Sequence, residues 1–227
     1  MNEGMRDGII FDLDGTLLDS MWVWDDVDRE FLGNRGLEVP ADYQKEIVAL
    51  GFEETAHYTI ERFHLDEDPA DIMNEWRHMA EEKYAWDVDV KPMVIPMLAW
   101  FKDHDMKLGI ATSSYESLFM PCLERNQILQ YFDAIAKTEE VHVGKNKPDV
   151  YLLAAEKLKK RPEECVVFED IFQGIQTAKE AGFHTVAVYD EKNRDMWEKT
   201  KEIAHHSILN FNELFETKNR MKEVFFG

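Results

Sequence analysis

The chain has 227 residues and a formal net charge of −20 at pH 7, long enough to bury roughly 70–75% of its unfolded surface without disulfides. So acidic a chain opposes the nucleic-acid backbone, whose binding needs a lysine and arginine surface, and no nucleic-acid partner is expected. No apolar run approaches the ~20 residues of a membrane span, so no membrane partner is expected either. The two cysteines, Cys122 and Cys165, stand in apolar surroundings without metal-ligand spacing; this points to a reducing compartment, and a cytoplasmic protein is expected. A phosphorylated ligand would be repelled at long range, so any site for one must be locally positive.

Taken in chain order, Gly8-Ile9-Ile10-Phe11-Asp12-Leu13 reads as a buried strand that stops at acidic residues and glycine. Residues 18–87 then carry helical patterns and no convincing buried strand. Trp22, Trp24, Val27 and Phe31 suggest one helix. Asp68-Pro69 forms an N-cap and N1 pair for another, with Ile72, Trp76, Met79, Ala80 and Tyr84 on one face. These apolar residues can pack a small bundle. From residue 94 onwards helix and strand patterns alternate: helices over 94–104, 115–125, 148–159 and 171–181, and strands over 107–111, 165–168 and 185–189. Gly182 follows the last helix as a C′ residue.

Each strand ends in small polar or acidic residues: Thr112-Ser113-Ser114, Glu169-Asp170 and Asp190. The alternation predicts an α/β fold, a Rossmann-like parallel sheet flanked by helices on both faces. Right-handed crossovers would bring the carboxyl ends of the strands to one edge, where ligands bind. The predicted domains are a core of residues 1–17 and 88–227 and an inserted helical domain of residues 18–87.

The strand ends carry a chemical pattern. Asp12 and Asp14 are one residue apart, and two such carboxylates stay ionised together only with a reason such as a bound divalent cation. Oxygen-only ligands favour Mg²⁺ or a similar hard cation. The topology would add Glu169 and Asp170 beside Asp12. Thr112 offers a hydroxyl and Ser113 a backbone N–H for a phosphoryl oxygen. Lys145, in the loop before the helix that begins near Pro148, can supply the missing positive charge; Lys147 is the alternative.

Asp12-Leu13-Asp14-Gly15-Thr16, Thr112, Lys145 and Glu169-Asp170, in this order on this strand pattern, closely resemble the four signature motifs of the haloacid dehalogenase superfamily. Phe168-Glu169-Asp170 with Gly174-Ile175 and Ala178-x-x-Ala181-Gly182 resembles the phosphoglycolate phosphatase and beta-phosphoglucomutase branch of its subfamily I. That branch inserts a C1-type α-helical cap after the first motif, matching residues 18–87. The resemblance implies a Mg²⁺-dependent phosphatase for a small phosphorylated metabolite, monomeric or weakly dimeric. Asp12 would be the nucleophile that becomes an aspartyl-phosphate, and Asp14 the acid and base. Mg²⁺ would be held by Asp12, the Asp14 carbonyl and Asp170, with Glu169 bound through water. Gly15, Thr112, Ser113 and Lys145 would bind the phosphoryl group, and Trp24 would contact substrate from the cap.

The departures from the pattern are informative. Asn146 replaces a proline in the lysine loop, and Ile171 replaces the serine that usually follows Asp170, which removes a helix-start hydrogen bond. Pro92-Met93 stands where relatives often have Pro-Gly. Mutases of the branch use a histidine near the Trp24 position and a basic residue near Leu50-Gly51-Phe52-Glu53-Glu54, and neither is present. A mutase must keep water from its intermediate, so hydrolysis is the expected reaction. The alternatives are a beta-phosphoglucomutase-like sugar phosphomutase and a non-catalytic phosphometabolite-binding protein.

Overall fold

The computed structural model describes residues 6–47, 50, 52–216 and 223–225. β1 (Gly8–Phe11) is followed by helices α1 (Val23–Asn34), α2 (Tyr43–Ile47), α3 (Phe52–Phe63) and α4 (Pro69–Trp86). The chain then runs α5 (Val94–Asp103), β2 (Lys107–Thr112), α6 (Glu116–Arg125), β3 (Ala134–Lys137), α7 (Thr138–Val141) and α8 (Asp149–Lys157). After these come β4 (Cys165–Glu169), α9 (Phe172–Glu180), β5 (His184–Val188), α10 (Trp197–Ile203), β6 (His206–Ile208) and α11 (Glu213–Glu216). Among the described residues, no helix is long and apolar enough to cross a membrane.

The six strands form one sheet in the order β3-β2-β1-β4-β5-β6, with every pair parallel. The chain builds outward from β1 to β3 and then returns to place β4 on the other side of β1. That reversal opens a crevice at the strands' carboxyl ends, where open α/β sheets bind ligands. Strand periodicity explains why β1 is apolar on both faces. Ile10 belongs to a buried cluster with Tyr151 and Ala154 of α8. Phe11, pointing the opposite way, stacks on Phe168 at 4.9 Å and meets Phe101 of α5 at 6.2 Å. The edge strands β3 and β6 escape a reading by apolar pattern, because one is only half-buried and the other is His-Ser-Ile.

The chain divides into two compact units, Met1–Met21 with Asp89–Gly227, and Trp22–Val88. Residues 18–21 group with the sheet for local reasons: Leu18 N–H donates to the Leu13 carbonyl, Asp19 N–H to Asp89, and the Ser20 hydroxyl to Asp14. The second unit is helical. Its α4 begins as its residues require, with the Asp68 carboxylate accepting from Ala70 N–H at 2.8 Å and Pro69 in the first turn. Ile72, Trp76, Ala80 and Tyr84 are buried, whereas Met79 is half-buried. Within this unit Phe31 and Phe52 both stand edge-on to Trp76.

Two local features carry measurable consequences. Met93, at the N-terminus of α5, is left-handed with φ +67°, a conformation that costs a residue with a Cβ about 1–2 kcal/mol. Met93→Gly is expected to raise unfolding stability by about 1 kcal/mol, read by urea denaturation; an unchanged or lower midpoint would contradict the assignment of strain. Across the amino ends of β5 and β6, His184 stacks on His205 at 4.4 Å and lies 5.0 Å from His206. Burial, reinforced by Arg6 and the two neighbouring histidines, pulls His184 down to about 3. The unfolded chain therefore binds the extra proton between about pH 6.5 and 3, and this group lowers stability as pH falls through that window. His184→Phe should flatten the acid-side fall of the urea midpoint between pH 7 and 5; an identical slope would count against it.

Candidate active site

The site is assembled from three strand ends and one helix-start loop. Parallel pairing puts Phe11 opposite Phe168, so the next residues, Asp12 and Glu169, stand side by side, and Asp12 N–H donates to the Phe168 carbonyl at 3.0 Å. After Asp12 the chain turns back on itself: the N–H groups of Thr16, Leu17 and Leu18 all converge on the Leu13 carbonyl. Gly15, at φ +80°, is left-handed, and a side chain there would overlap the Asp170 carboxylate. Only glycine lets the turn and Asp170 approach so closely.

Asp12, Glu169 and Asp170 are buried, and they present carboxylate oxygens within 4.8 Å of one another. The buried Lys145 ammonium donates to Asp12 Oδ1 and, at 2.7 Å, to Glu169 Oε2. Lys147 is exposed. The Lys145 loop is pinned from α9, where the Thr177 hydroxyl donates to the Lys145 carbonyl at 2.9 Å. Burial works against the Lys145 charge, yet Asp12 and Glu169 outweigh it and hold the ammonium above the ordinary lysine value. Burial first, and then the Glu169 charge, pushes both Asp12 and Asp170 upward. Three carboxylates and one ammonium leave two formal negative charges when all are ionised, which a divalent cation would neutralise. Together with the all-oxygen donor set, this fits Mg²⁺.

The carboxylates have unequal surroundings. Glu169 accepts four hydrogen bonds: Lys145 and the Tyr151 hydroxyl at Oε2, and the N–H groups of Asp170 and Ile171 at Oε1. A carboxylate has about four lone-pair positions, so Glu169 is occupied as the counter-ion of Lys145. One of these donors, the Ile171 N–H, comes from the residue that precedes α9. Asp170 accepts from the Thr16 hydroxyl at 3.2 Å and from Asn193 Nδ2 at 2.6 Å, one donor per oxygen. Asp14, half-buried, accepts from the Ser20 hydroxyl at 2.6 Å.

Thr112 is the last residue of β2, fully buried, with its hydroxyl oxygen accepting from Ser114 N–H at 3.0 Å. Ser113 beyond it is exposed. Trp24 belongs to the helical unit, where it is 40% exposed and edge-on to Phe52 at 5.8 Å. With Asp28, Gln44 and Trp76 it lines a cavity of about 170 Å³ inside that unit. Gly51 lies outside the described residues. Sequence reasoning missed Tyr151, Lys91 and Asn193. Tyr151 was visible as an aromatic residue in the helix after the lysine loop, but only folding shows that it faces Glu169. Lys91 donates to the Gly15 and Tyr189 carbonyls and to Asp190 Oδ2; no local motif marks it or Asn193.

Comparison with known proteins agrees with this geometry. Residues 9–188 match the family model described as haloacid dehalogenase-like hydrolase. The chain is 34% identical over 184 residues to the fructose-1-phosphate phosphatase YqaB of Escherichia coli, covering 80% of this chain and 95% of that protein. It is 28% identical over 183 residues to a phosphorylated carbohydrates phosphatase of Thermotoga maritima, covering 79% and 83%. Among solved structures, a putative beta-phosphoglucomutase from Thermotoga maritima superposes with a TM-score of 0.82 at 26% identity, over 96% of this chain and all of that one.

Gly174 gives a direct test of the packing behind Lys145. A Cβ there would lie 2.6 Å from the Tyr151 hydroxyl and 2.7 Å from Glu169 Cδ. Gly174→Ala should therefore destabilise the protein by about 1–3 kcal/mol, although alanine is the better helix former by about 1 kcal/mol. Thermal and urea unfolding would read this, and a stabilised variant would refute the close approach.

Proposed function

The chain belongs to the haloacid dehalogenase-like hydrolases and is a phosphatase, and we propose that it hydrolyses a small sugar or sugar-alcohol phosphomonoester through an aspartyl-phosphate on Asp12, with Mg²⁺ as cofactor. The observation that carries this reading is the buried Lys145 ammonium between Asp12 and Glu169, next to Asp170. Lys145 engages Asp12 through Oδ1, which leaves Oδ2 to attack phosphorus while the bond to the leaving oxygen breaks. Asp14 donates a proton to the leaving alkoxide and then takes one from water. That water attacks the same phosphorus, releases inorganic phosphate and restores the Asp12 carboxylate.

Thr112, the Ser113 N–H and Lys145 hold the phosphoryl oxygens, placing donors where charge accumulates; the Gly15 N–H is given to the Leu18 carbonyl at 3.1 Å, so Gly15 serves through its turn and not as a donor. Asp12, the Asp14 carbonyl and Asp170 would hold Mg²⁺, with Glu169 occupied by its four donors and acting at longer range. When bound, Mg²⁺ supplies charge neutralisation between the nucleophilic carboxylate and the phosphate. Trp24, partly exposed on the helical unit, is the candidate substrate contact there. The two relatives, a fructose-1-phosphate phosphatase and a phosphorylated carbohydrates phosphatase, support the substrate class.

The test is phosphate release across a panel of sugar, sugar-alcohol and nucleotide monophosphates in Mg²⁺. Asp12→Asn should lower kcat/KM by about 10³ or more, and chelation of Mg²⁺ should abolish turnover reversibly. Wild-type-like activity in Asp12→Asn would overturn the nucleophile. Isomer formed faster than free phosphate from a sugar 1-phosphate and its bisphosphate would establish a mutase instead.

A further inference from the structure

We propose that Asn193 is a positioning residue that orients the Asp170 carboxylate for the metal, and that Lys91 holds the loop carrying it; this inference rests on the metal-dependent reading above. Asn193 lies in the 3₁₀ segment Glu191–Met196, just beyond β5. It is half-buried, whereas its neighbours Lys192 and Arg194 are exposed. Its amide reaches inward to Asp170 Oδ2 at 2.6 Å. The other oxygen of Asp170 is held by Thr16 at 3.2 Å, from the loop after β1. Two donors from separate segments, one on each oxygen, fix the plane of the carboxylate. Each oxygen keeps a further lone pair for a cation.

The amide is suited to the task because it donates without bringing a charge. A lysine at this place would compete with a cation for the carboxylate, and a carboxylate would add to the repulsion among Asp12, Glu169 and Asp170. The loop that carries Asn193 is itself restrained. Asp190, buried at its start, accepts from Lys192 N–H at 2.9 Å, and its carbonyl accepts from Asn193 N–H at 3.1 Å. Lys91 clamps Asp190 Oδ2 at 2.8 Å and the Tyr189 carbonyl at 3.2 Å, and also donates to the Gly15 carbonyl.

These contacts close a ring. From Gly15 it passes through Lys91 to Asp190, along the loop to Asn193, and through Asn193 to Asp170. Asp170 in turn lies against Gly15, so closely that a side chain on the glycine would overlap it. The turn that follows the nucleophile and the carboxylate from β4 are thus set relative to each other by a segment that contributes no charge to the acidic cluster. Hydrogen-bond donors behind metal ligands commonly govern metal affinity by 10–100-fold.

The test is calorimetric titration of the purified full chain with MgCl₂ in the absence of substrate. Asn193→Leu, which keeps the branched shape and removes the donor, should raise the Mg²⁺ Kd by about tenfold, in a metal-free protein that still unfolds cooperatively in urea. Asn193→Gln, which keeps the amide, should recover part of the affinity. Lys91→Met should also weaken Mg²⁺, although Lys91 makes no hydrogen bond to Asp170, and the double variant should bind Mg²⁺ no more weakly than the worse single one. An unchanged Kd in a folded Asn193→Leu, or in Asn193→Ser should the leucine variant fail to fold, would overturn the positioning role alone and leave Asp12-dependent phosphate release standing. Absence of Mg²⁺ binding by the wild-type chain would overturn it together with the metal requirement.

Discussion

The arrangement of the site depends on one buried cation. Lys145 is enclosed with its ammonium between Asp12 and Glu169, and a charge so placed is tolerated only when it is paired and hydrogen-bonded on every side. The pairing works in both directions. Without Lys145, Asp12 and Glu169 would be like charges held side by side by sheet register, and without them Lys145 could not remain charged in the interior. Breaking such a pair from one side leaves an uncompensated buried ion, typically at a cost of about 3–5 kcal/mol. The lysine therefore couples folding at the carboxyl ends of β1 and β4 to the electrostatics of Asp12.

The backbone supplies the conditions for this contact. Reversal of strand order between β1 and β4 puts residues more than 150 positions apart next to each other. Two glycines then admit the final approach, Gly15 beside Asp170 and Gly174 behind Glu169 and Tyr151. They act for different reasons. Gly15 is required by its left-handed backbone as well as by space, whereas Gly174 sits in an ordinary helix and serves through its missing side chain alone. In each case a small change in one residue displaces a carboxylate rather than merely a packing contact.

The acidic residues share a type but not an environment, and this separates their roles. Glu169 is saturated by four donors, Asp170 is oriented by two, and Asp12 shares Lys145 while remaining close to both. A net charge of −20 would repel a phosphorylated ligand, and the local answer is a buried lysine plus carboxylates suited to a divalent cation. The same cluster explains why burial and mutual repulsion push Asp12 and Asp170 upward, whereas Lys145 stays charged. Neutralisation of the two remaining negative charges is the physical role that a metal would fill.

Much of this was legible from residue order. Apolar runs with small polar or acidic ends identified β1, β2, β4 and β5, because strands buried on both faces must be apolar throughout, and the order of Asp12, Asp14, Thr112, Lys145, Glu169 and Asp170 at and between their ends carried the family resemblance. The edge strands β3 and β6 were not legible, since they are defined by pairing with a neighbour rather than by their own pattern. Nor were Tyr151, Lys91 and Asn193, whose partners Glu169, Gly15 and Asp170 lie 18 to 76 residues away in sequence. The sequence by itself carried the family resemblance, and with it the expectation of a phosphatase, because the order of Asp12, Asp14, Thr112, Lys145, Glu169 and Asp170 is a property of the chain and needs no folding to be read. Only the tertiary structure decided which lysine is buried, which carboxylate is saturated and which keeps acceptor capacity, because hydrogen-bond saturation depends on every donor the fold brings within reach.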